Sequence, residues 1–147
     1  MYYSVFNLFK IGVGPSSSHT VGPMVAANLF LKSIGNLNAI ASVNVNVYGS
    51  LALTGFGHAT DKALLMGLEG QEPAKIDPSI IDERCEEIRK TNRLKLLGKH
   101  EISFAIKDDM PFHMEKLLPH HSNGLTFTAL ENDGKVVSKE NYYSVGG

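Results

Sequence analysis

Between Ser42 and Tyr48 the chain alternates strictly, with Val43, Val45 and Val47 set between Ser42, Asn44, Asn46 and Tyr48. Successive side chains of a strand point to opposite faces, so this stretch is a strand with one buried face and one polar face. On the N-terminal side, "VGPMVAANLFLKSIG" reads as a helix, with Val21, Met24, Val25, Leu29 and Lys32 along one stripe and Gly35 as its C-terminal stop. Pro23 fits the first turn, where a missing N–H costs nothing. On the C-terminal side, "GHATDKALLMGLEG" reads as a short helix opened by Thr60 or Asp61 and closed near Gly67 to Gly70.

A third helix begins at "DPSIIDERCEEIRK", with Asp77 as N-cap, Pro78 at the first helical position, and Ile81, Cys85 and Ile88 facing inward. Its charged residues, Asp82, Glu83, Glu86, Glu87, Arg89 and Lys90, form the solvated side. The remainder reads as strands: "HEISFAIK" with Ile102, Phe104 and Ile106, "LTFTAL" with Leu125 and Phe127, and "KVVSKENYYSV" after an Asn132-Asp133-Gly134 hairpin turn. This order predicts an α+β fold, a two-layer α/β sandwich with helices packed on one face of a mostly antiparallel sheet. At 147 residues and 43% hydrophobic, the chain suits one domain spanning residues 1–147.

The formal net charge is −1 and neither sign forms a long run, which argues against a nucleic-acid backbone or an anionic membrane surface as partner. Cys85 is the single cysteine; it excludes an internal disulfide, cannot by itself hold a zinc ion or an iron–sulfur cluster, and fits a reducing cytoplasm. No metal site is assigned. The N-terminus "MYYSVFNLFKIG" lacks the basic start and apolar run of a signal peptide, and no stretch approaches the roughly 20 apolar residues of a spanning helix. The expected location is the cytoplasm.

Three polar clusters carry the candidate chemistry. In "GVGPSSSHTVGP", Ser16, Ser17, Ser18, His19 and Thr20 stand between Gly14-Pro15 and Gly22-Pro23, just ahead of the first helix. A helix N-terminus offers unpaired N–H groups and a positive dipole end, so the hydroxyls can complete a seat for a carboxylate or phosphate, and His19 can exchange a proton near neutral pH. The competing interpretation is a capping turn. In "TGFGHATD", His58 sits on a Gly-rich strand-to-helix turn with Thr60 and Asp61 behind it; either this is again only a cap, or two helix N-termini bearing histidines face one pocket. In "LPHHSNG", His120, His121 and Asn123 enter a strand and can reach a ligand, although adjacent histidines of an extended chain point apart and do not chelate one metal; a plain polar turn is the alternative. His100 and His113 stand outside these clusters and receive no role.

Taken together, "SVFNLFKIGVGPSSSHTVGPM", "VYGSLALTGFGHATDKALLMGL", "LPHHSNGLTFTA" and the closing "YYSVGG" resemble the β domain of bacterial iron–sulfur-dependent L-serine dehydratase, or L-serine ammonia-lyase. The resemblance covers essentially the whole chain. It implies loss of water from L-serine to give aminoacrylate, which tautomerises and hydrolyses to pyruvate and ammonium. It also implies a 4Fe-4S cluster held by cysteines of a separate α domain, expected beyond a Gly-rich junction like that at residues 144–147. This chain alone is then expected to be inactive and free of a cluster, with L-serine and that α domain as partners and a homodimer as the assembly.

By the same resemblance the fold is similar to the allosteric substrate-binding domain of some D-3-phosphoglycerate dehydrogenases. That likeness supplies the alternative of a non-catalytic regulatory module binding a small anion or amino acid. In the dehydratase reading, His58 or His19 is the base that removes the Cα proton. The preference is His58 as base with His19 binding substrate. Ser16, Ser17, Ser18 and Thr20 orient the carboxylate or amino group, Asp61 pairs with the ammonium or fixes a histidine tautomer, and His121 and Asn123 contact the ligand.

Overall fold

A computed structural model of the chain describes residues 2–3, 21–49, 60–113 and 123–144. In chain order these form β1 (Tyr2–Tyr3), α1 (Val21–Ile34), a 3-10 turn (Leu37–Ala39), β2 (Ser42–Gly49), α2 (Thr60–Leu68), α3 (Pro78–Thr91), β3 (Arg93–Leu96), β4 (His100–Ser103), α4 (Ile106–Asp109), β5 (Phe112–His113), β6 (Asn123–Leu130) and β7 (Val136–Ser144). The main sheet has the order β1-β7-β6-β2-β5, and β3 pairs with β4 as a separate hairpin. Its three long strands are antiparallel, while the two-residue strands β1 and β5 add at the edges in parallel. This is the expected α+β arrangement of helices against a mostly antiparallel sheet.

The alternation in β2 sets the inner face. Val43, Val45 and Val47 are fully buried and lie opposite Ala129, Phe127 and Leu125 of β6. Directly opposed residues share a face, so β6 and β7 extend the same apolar surface through to Tyr142. Phe30 of α1 stacks on Phe127 with ring centroids 5.2 Å apart, and Tyr142 meets Phe127 edge-on at 5.4 Å. Such aromatic contacts are favoured by the ring quadrupoles and contribute about 0.5–1.5 kcal/mol each beyond the area they bury.

The helix signals hold at their ends. The Asp77 carboxylate accepts the backbone N–H of Ser79 at 3.0 Å, Pro78 opens α3, Asn92 closes it in the left-handed region, and Gly35, at φ +83°, follows α1. Cys85 and Ile88 face inward as expected. The β6–β7 hairpin turns at Gly134, at φ +85°, with the Glu131 N–H donating to the Lys135 carbonyl at 2.9 Å.

Two expectations are corrected. The buried arc of α1 is Met24, Ala26, Ala27, Phe30 and Leu31, while Leu29 is 45% exposed and Lys32 is exposed. α1 is covered from two directions, by the sheet at Phe30 and by α2 at Ala27, so its buried side joins large residues over the sheet to small ones where α2 crosses. "HEISFAIK" is not one strand. It leaves the hairpin after Ser103, and the Asp109 carboxylate accepts the Ala105 N–H at 2.8 Å, closing the short helix α4. β3, whose Leu94 and Leu96 are buried, was not foreseen.

α2 is the centre of the helical layer, apolar almost all round, with Ala63, Leu64, Leu65, Met66 and Leu68 buried. A helix of that kind must be covered on every side. Its contact with α1 is unusually close: a Cβ on Gly67 would lie 2.5 Å from the Met24 carbonyl oxygen and 2.9 Å from the Ala27 Cβ. Among the described residues no helix is long and apolar enough to cross a membrane.

The contact fixes the sign of a substitution. Replacing a helical glycine by alanine ordinarily stabilises by about 1 kcal/mol. At Gly67 the added carbon meets backbone, and overpacking of this kind costs about 1–3 kcal/mol. Gly67→Ala is therefore expected to lower the urea midpoint; a midpoint raised by the substitution would refute the contact.

Candidate functional site

The described elements bring the attachment points of the polar segments to one end of the sandwich. Gly49, the last residue of β2, lies opposite Asn123, the first of β6, and Asn123 lies opposite Ser144, the last of β7. One position back from Gly49, Tyr48 lies beside His113 of β5, and two positions back from Ser144, Tyr142 lies beside Tyr3 at the other edge. Residues 50–59 thus follow the end of β2, and residues 114–122 link β5 to β6, the two strands that flank β2. Ser16, Ser17, Ser18, His19, Thr20, His58 and His121 lie outside the described residues, and Asn123 is described through its backbone.

Both long-range helices point the same way. The Asn28 amide donates to the carbonyls of Gly67, at 3.0 Å, and Gln71, at 2.6 Å, while Met24 lies against Gly67, so contacts advance together along α1 and past the end of α2. The C-terminal end of α1 runs into Ala41, whose N–H donates to the Leu130 carbonyl at 2.8 Å, at the far end of β6. From the stacked pair Phe30 and Phe127, the helix back to Val21 rises about 14 Å and the strand back to Asn123 about 13 Å. The N-terminus of α1, which the Ser-rich segment enters, therefore faces the end where Gly49, Asn123 and Ser144 align.

Asp61 stands in the first turn of α2 with its side chain only 2% exposed. Its Oδ1 accepts the N–H of Lys62 at 2.8 Å, and its Oδ2 lies 3.4 Å from the guanidinium of Arg89 on α3. A carboxylate there also gains from the positive end of the helix dipole. At the other end of α2, Arg84 of α3 donates to both oxygens of Glu69, at 3.0 and 2.8 Å. Two acid–arginine pairs thus lock α3 along α2 and hold its N-terminus in place. Arg89 is a partner that sequence reasoning placed only among solvated charges, and since it stands 28 positions from Asp61 no local signal links them.

The two histidines given no role both have defined positions. His100 Nε2 donates to the Ile40 carbonyl at 2.8 Å, tying the β3–β4 hairpin to the entry of β2. His113 Nε2 donates to Asn46 Oδ1 at 2.7 Å, and its ring stacks on Tyr48 at 4.8 Å. A cleft of about 330 Å³ with Lys32, Asn36, Asn38, Lys99 and His100 in its wall opens at the C-terminal end of α1, away from the aligned strand ends.

Cys85 does not suit a cluster or a reactive role. It is buried against α2, and burial pushes its thiol up to about 11, outweighing the opposing pull of Arg89. Among the described residues no group of three or more His, Cys, Asp or Glu side chains could hold a metal ion. With a single cysteine, the chain lacks the several thiolates that hold an iron–sulfur cluster.

Strands β2, β6 and β7 end side by side, at the points where residues 50–59 follow β2 and residues 114–122 precede β6. The chain matches the serine dehydratase beta chain over residues 4–147. It is 53% identical over 150 residues to L-serine dehydratase of Streptomyces coelicolor, covering 100% of this chain and 33% of the relative. It is 47% identical over 148 residues to L-serine dehydratase 1 of Escherichia coli, covering 98% of this chain and 32% of the relative, and 44% identical over 150 residues to L-serine dehydratase of Mycobacterium tuberculosis, covering 100% and 32%. The chain belongs to the serine dehydratase beta chain family and spans about a third of the length of these curated relatives.

The state of Cys85 is open to direct measurement. A thiol that ionises only near pH 11 is almost wholly protonated at pH 8, and the thiolate is the nucleophile. Native protein is expected to react with a disulfide reagent at least about 100-fold more slowly than the same protein in denaturant. Equal rates would place the thiol at the surface.

Proposed function

We propose that this chain is the β domain of an L-serine dehydratase that converts L-serine to pyruvate and ammonium, and that it supplies substrate-binding and acid/base groups to an active site shared with the rest of the enzyme. The observation that carries the reading is the alignment of Gly49, Asn123 and Ser144 at the end faced by the N-terminus of α1, in a chain of this family. It lets segments distant in sequence serve one substrate.

The chemistry sets the requirements. Serine must lose its Cα proton and its β-hydroxyl, as water, to give aminoacrylate; tautomerisation and hydrolysis then release ammonium and pyruvate. The Cα–H is a weak acid, so a base held in one tautomer is needed. His58 takes this role, with His19 binding substrate. Ser16, Ser17, Ser18 and Thr20 receive the substrate carboxylate or amino group as hydrogen-bonding partners, and His121 and Asn123 close on it from the segment that enters β6.

Of the two roles considered for Asp61, orientation of a histidine is the one its surroundings favour. Its carboxylate is sealed from solvent and engaged by Arg89, which suits a fixed acceptor better than a group that must open to each incoming ammonium. The 4Fe-4S cluster belongs in this reading to a cysteine-bearing α domain, and the complete enzyme works in the cytoplasm as a homodimer.

Kinetics of the holoenzyme test the assignment. His58→Ala is expected to lower kcat by about 10² or more, the usual scale of general-base catalysis, with a smaller change in KM. His19→Ala is expected to act mainly on KM. Turnover of serine and Cα-deuterated serine decides between them: loss of turnover in His19→Ala, with near-normal kcat and isotope effect in His58→Ala, reverses the roles. The 147-residue chain assayed alone after anaerobic iron and sulfide treatment is expected to form no pyruvate.

A further inference from the structure

We propose that the cleft at the C-terminal end of α1 is a binding site for a small dianion, one that carries a phosphate group or paired carboxylates. The site stands apart from the aligned ends of β2, β6 and β7, and the inference does not depend on the dehydratase reading.

The end of α1, the 3-10 turn and the β3–β4 hairpin meet around the cleft, and each is fixed by bonds of its own. α1 gives way to Gly35, at φ +83°, where an added Cβ would meet nothing within 4 Å, so open space begins there. The turn that follows is capped by Asn36, whose Oδ1 accepts the Asn38 N–H at 3.1 Å. The hairpin reverses through Leu97 and Gly98, both at positive φ; the Leu97 N–H donates to the Leu68 carbonyl at 2.8 Å, and His100 Nε2 donates to the Ile40 carbonyl at 2.8 Å. Walls held in this way keep their shape before a ligand arrives, which spares the cost of ordering them on binding. At about 330 Å³ the cleft lies at the small end of the range for ligand pockets.

The chemistry of the wall selects the sign of the ligand. Lys32 and Lys99 contribute to it, and no aspartate or glutamate does. The Asn36 oxygen is spent on the cap, so the amide nitrogen, a donor only, is what that side chain offers. Lys99 has no ion pair among the described residues. Lys32 meets Glu72 at 3.6 Å, but Glu72 lies closer to Lys75, at 3.1 Å, and Lys75 more than Lys32 holds its carboxyl below the ordinary carboxylate range. A helix C-terminus contributes about half a negative charge, which two ammonium groups outweigh. An ammonium donates and cannot accept, so the ligand must bring acceptor oxygens, and two cations call for two negative charges.

The test is lysine acylation of the holoenzyme, read by peptide mass spectrometry in potassium chloride, inorganic phosphate or succinate at equal ionic strength, so that general screening is the same in each. Lys32 and Lys99 are expected to acylate about threefold or more slowly in phosphate, in succinate or in both than in chloride, with Lys139 of β7 unchanged. Protection by phosphate alone assigns a phosphate-bearing ligand, protection by succinate alone a dicarboxylate, and protection by both a site for either class. Two variants locate the effect. Asn36→Asp keeps the oxygen that caps the turn but puts a negative charge in place of a donor, and its protection is expected to vanish with the urea midpoint retained. In Lys99→Gln, at an exposed position, protection of Lys32 is expected to need about tenfold more anion. Equal acylation of Lys32 and Lys99 in all three salts overturns the proposal, as does undiminished protection in Asn36→Asp or an unchanged anion requirement in Lys99→Gln.

Discussion

The close crossing of α1 and α2 at Gly67 is the constraint on which the rest of the arrangement depends. Where the two backbones meet there is no room for a side chain, and the Asn28 amide fills the adjacent space by donating to the carbonyls of Gly67 and Gln71. The Gly67 carbonyl also accepts the Gly70 N–H at 3.0 Å, so the Asn28 amide adds a second donor there and one to the Gln71 carbonyl just past the helix end, at the cost of leaving its own Oδ1 buried without a partner. The contact also aligns the helices. With α1 held over β6 by Phe30 and α2 held to α1 in the same sense, both N-termini are directed to one end of the sheet.

The second layer of control is electrostatic. α2 is too apolar to be oriented by polarity of its own, and its ends are held by Asp61 with Arg89 and Glu69 with Arg84. These pairs differ in character. Both acids are nearly sealed while their arginines remain partly in water, an arrangement that spares the full desolvation of two charges. What they secure is less net stability than direction, since each ties one turn of α2 to one turn of α3.

A domain organised in this way separates its duties. The apolar face of the sheet and the helices make the core, while two of the polar motifs lie in segments that join the sheet at the ends of β2 and β6 and the third joins the N-terminus of α1. The chain spans about a third of the length of its curated relatives. The single buried cysteine fits the same division, since its thiol serves the packing of α3 against α2 and is poorly suited to ligation.

What the sequence determined by itself was whatever is encoded within a few residues. The alternation of Val43, Val45 and Val47 specified a one-sided strand, Asp77-Pro78 and Gly35 marked helix ends, and the Asn132-Asp133-Gly134 run marked a hairpin, because each signal acts through neighbouring backbone. The family was legible from the quoted motifs, which run along the whole chain. The tertiary structure decided the rest. Which side of α1 is buried depends on where α2 crosses it, so Leu29 lies outside while Ala27 lies within. The two-residue strand β5, the Asp61–Arg89 pair and the His113–Asn46 bond, whose members stand 67 residues apart in the last case, follow from chain reversals that no local pattern records. Hydrogen bonds and packing depend on distance in space, and only the folded chain sets that distance.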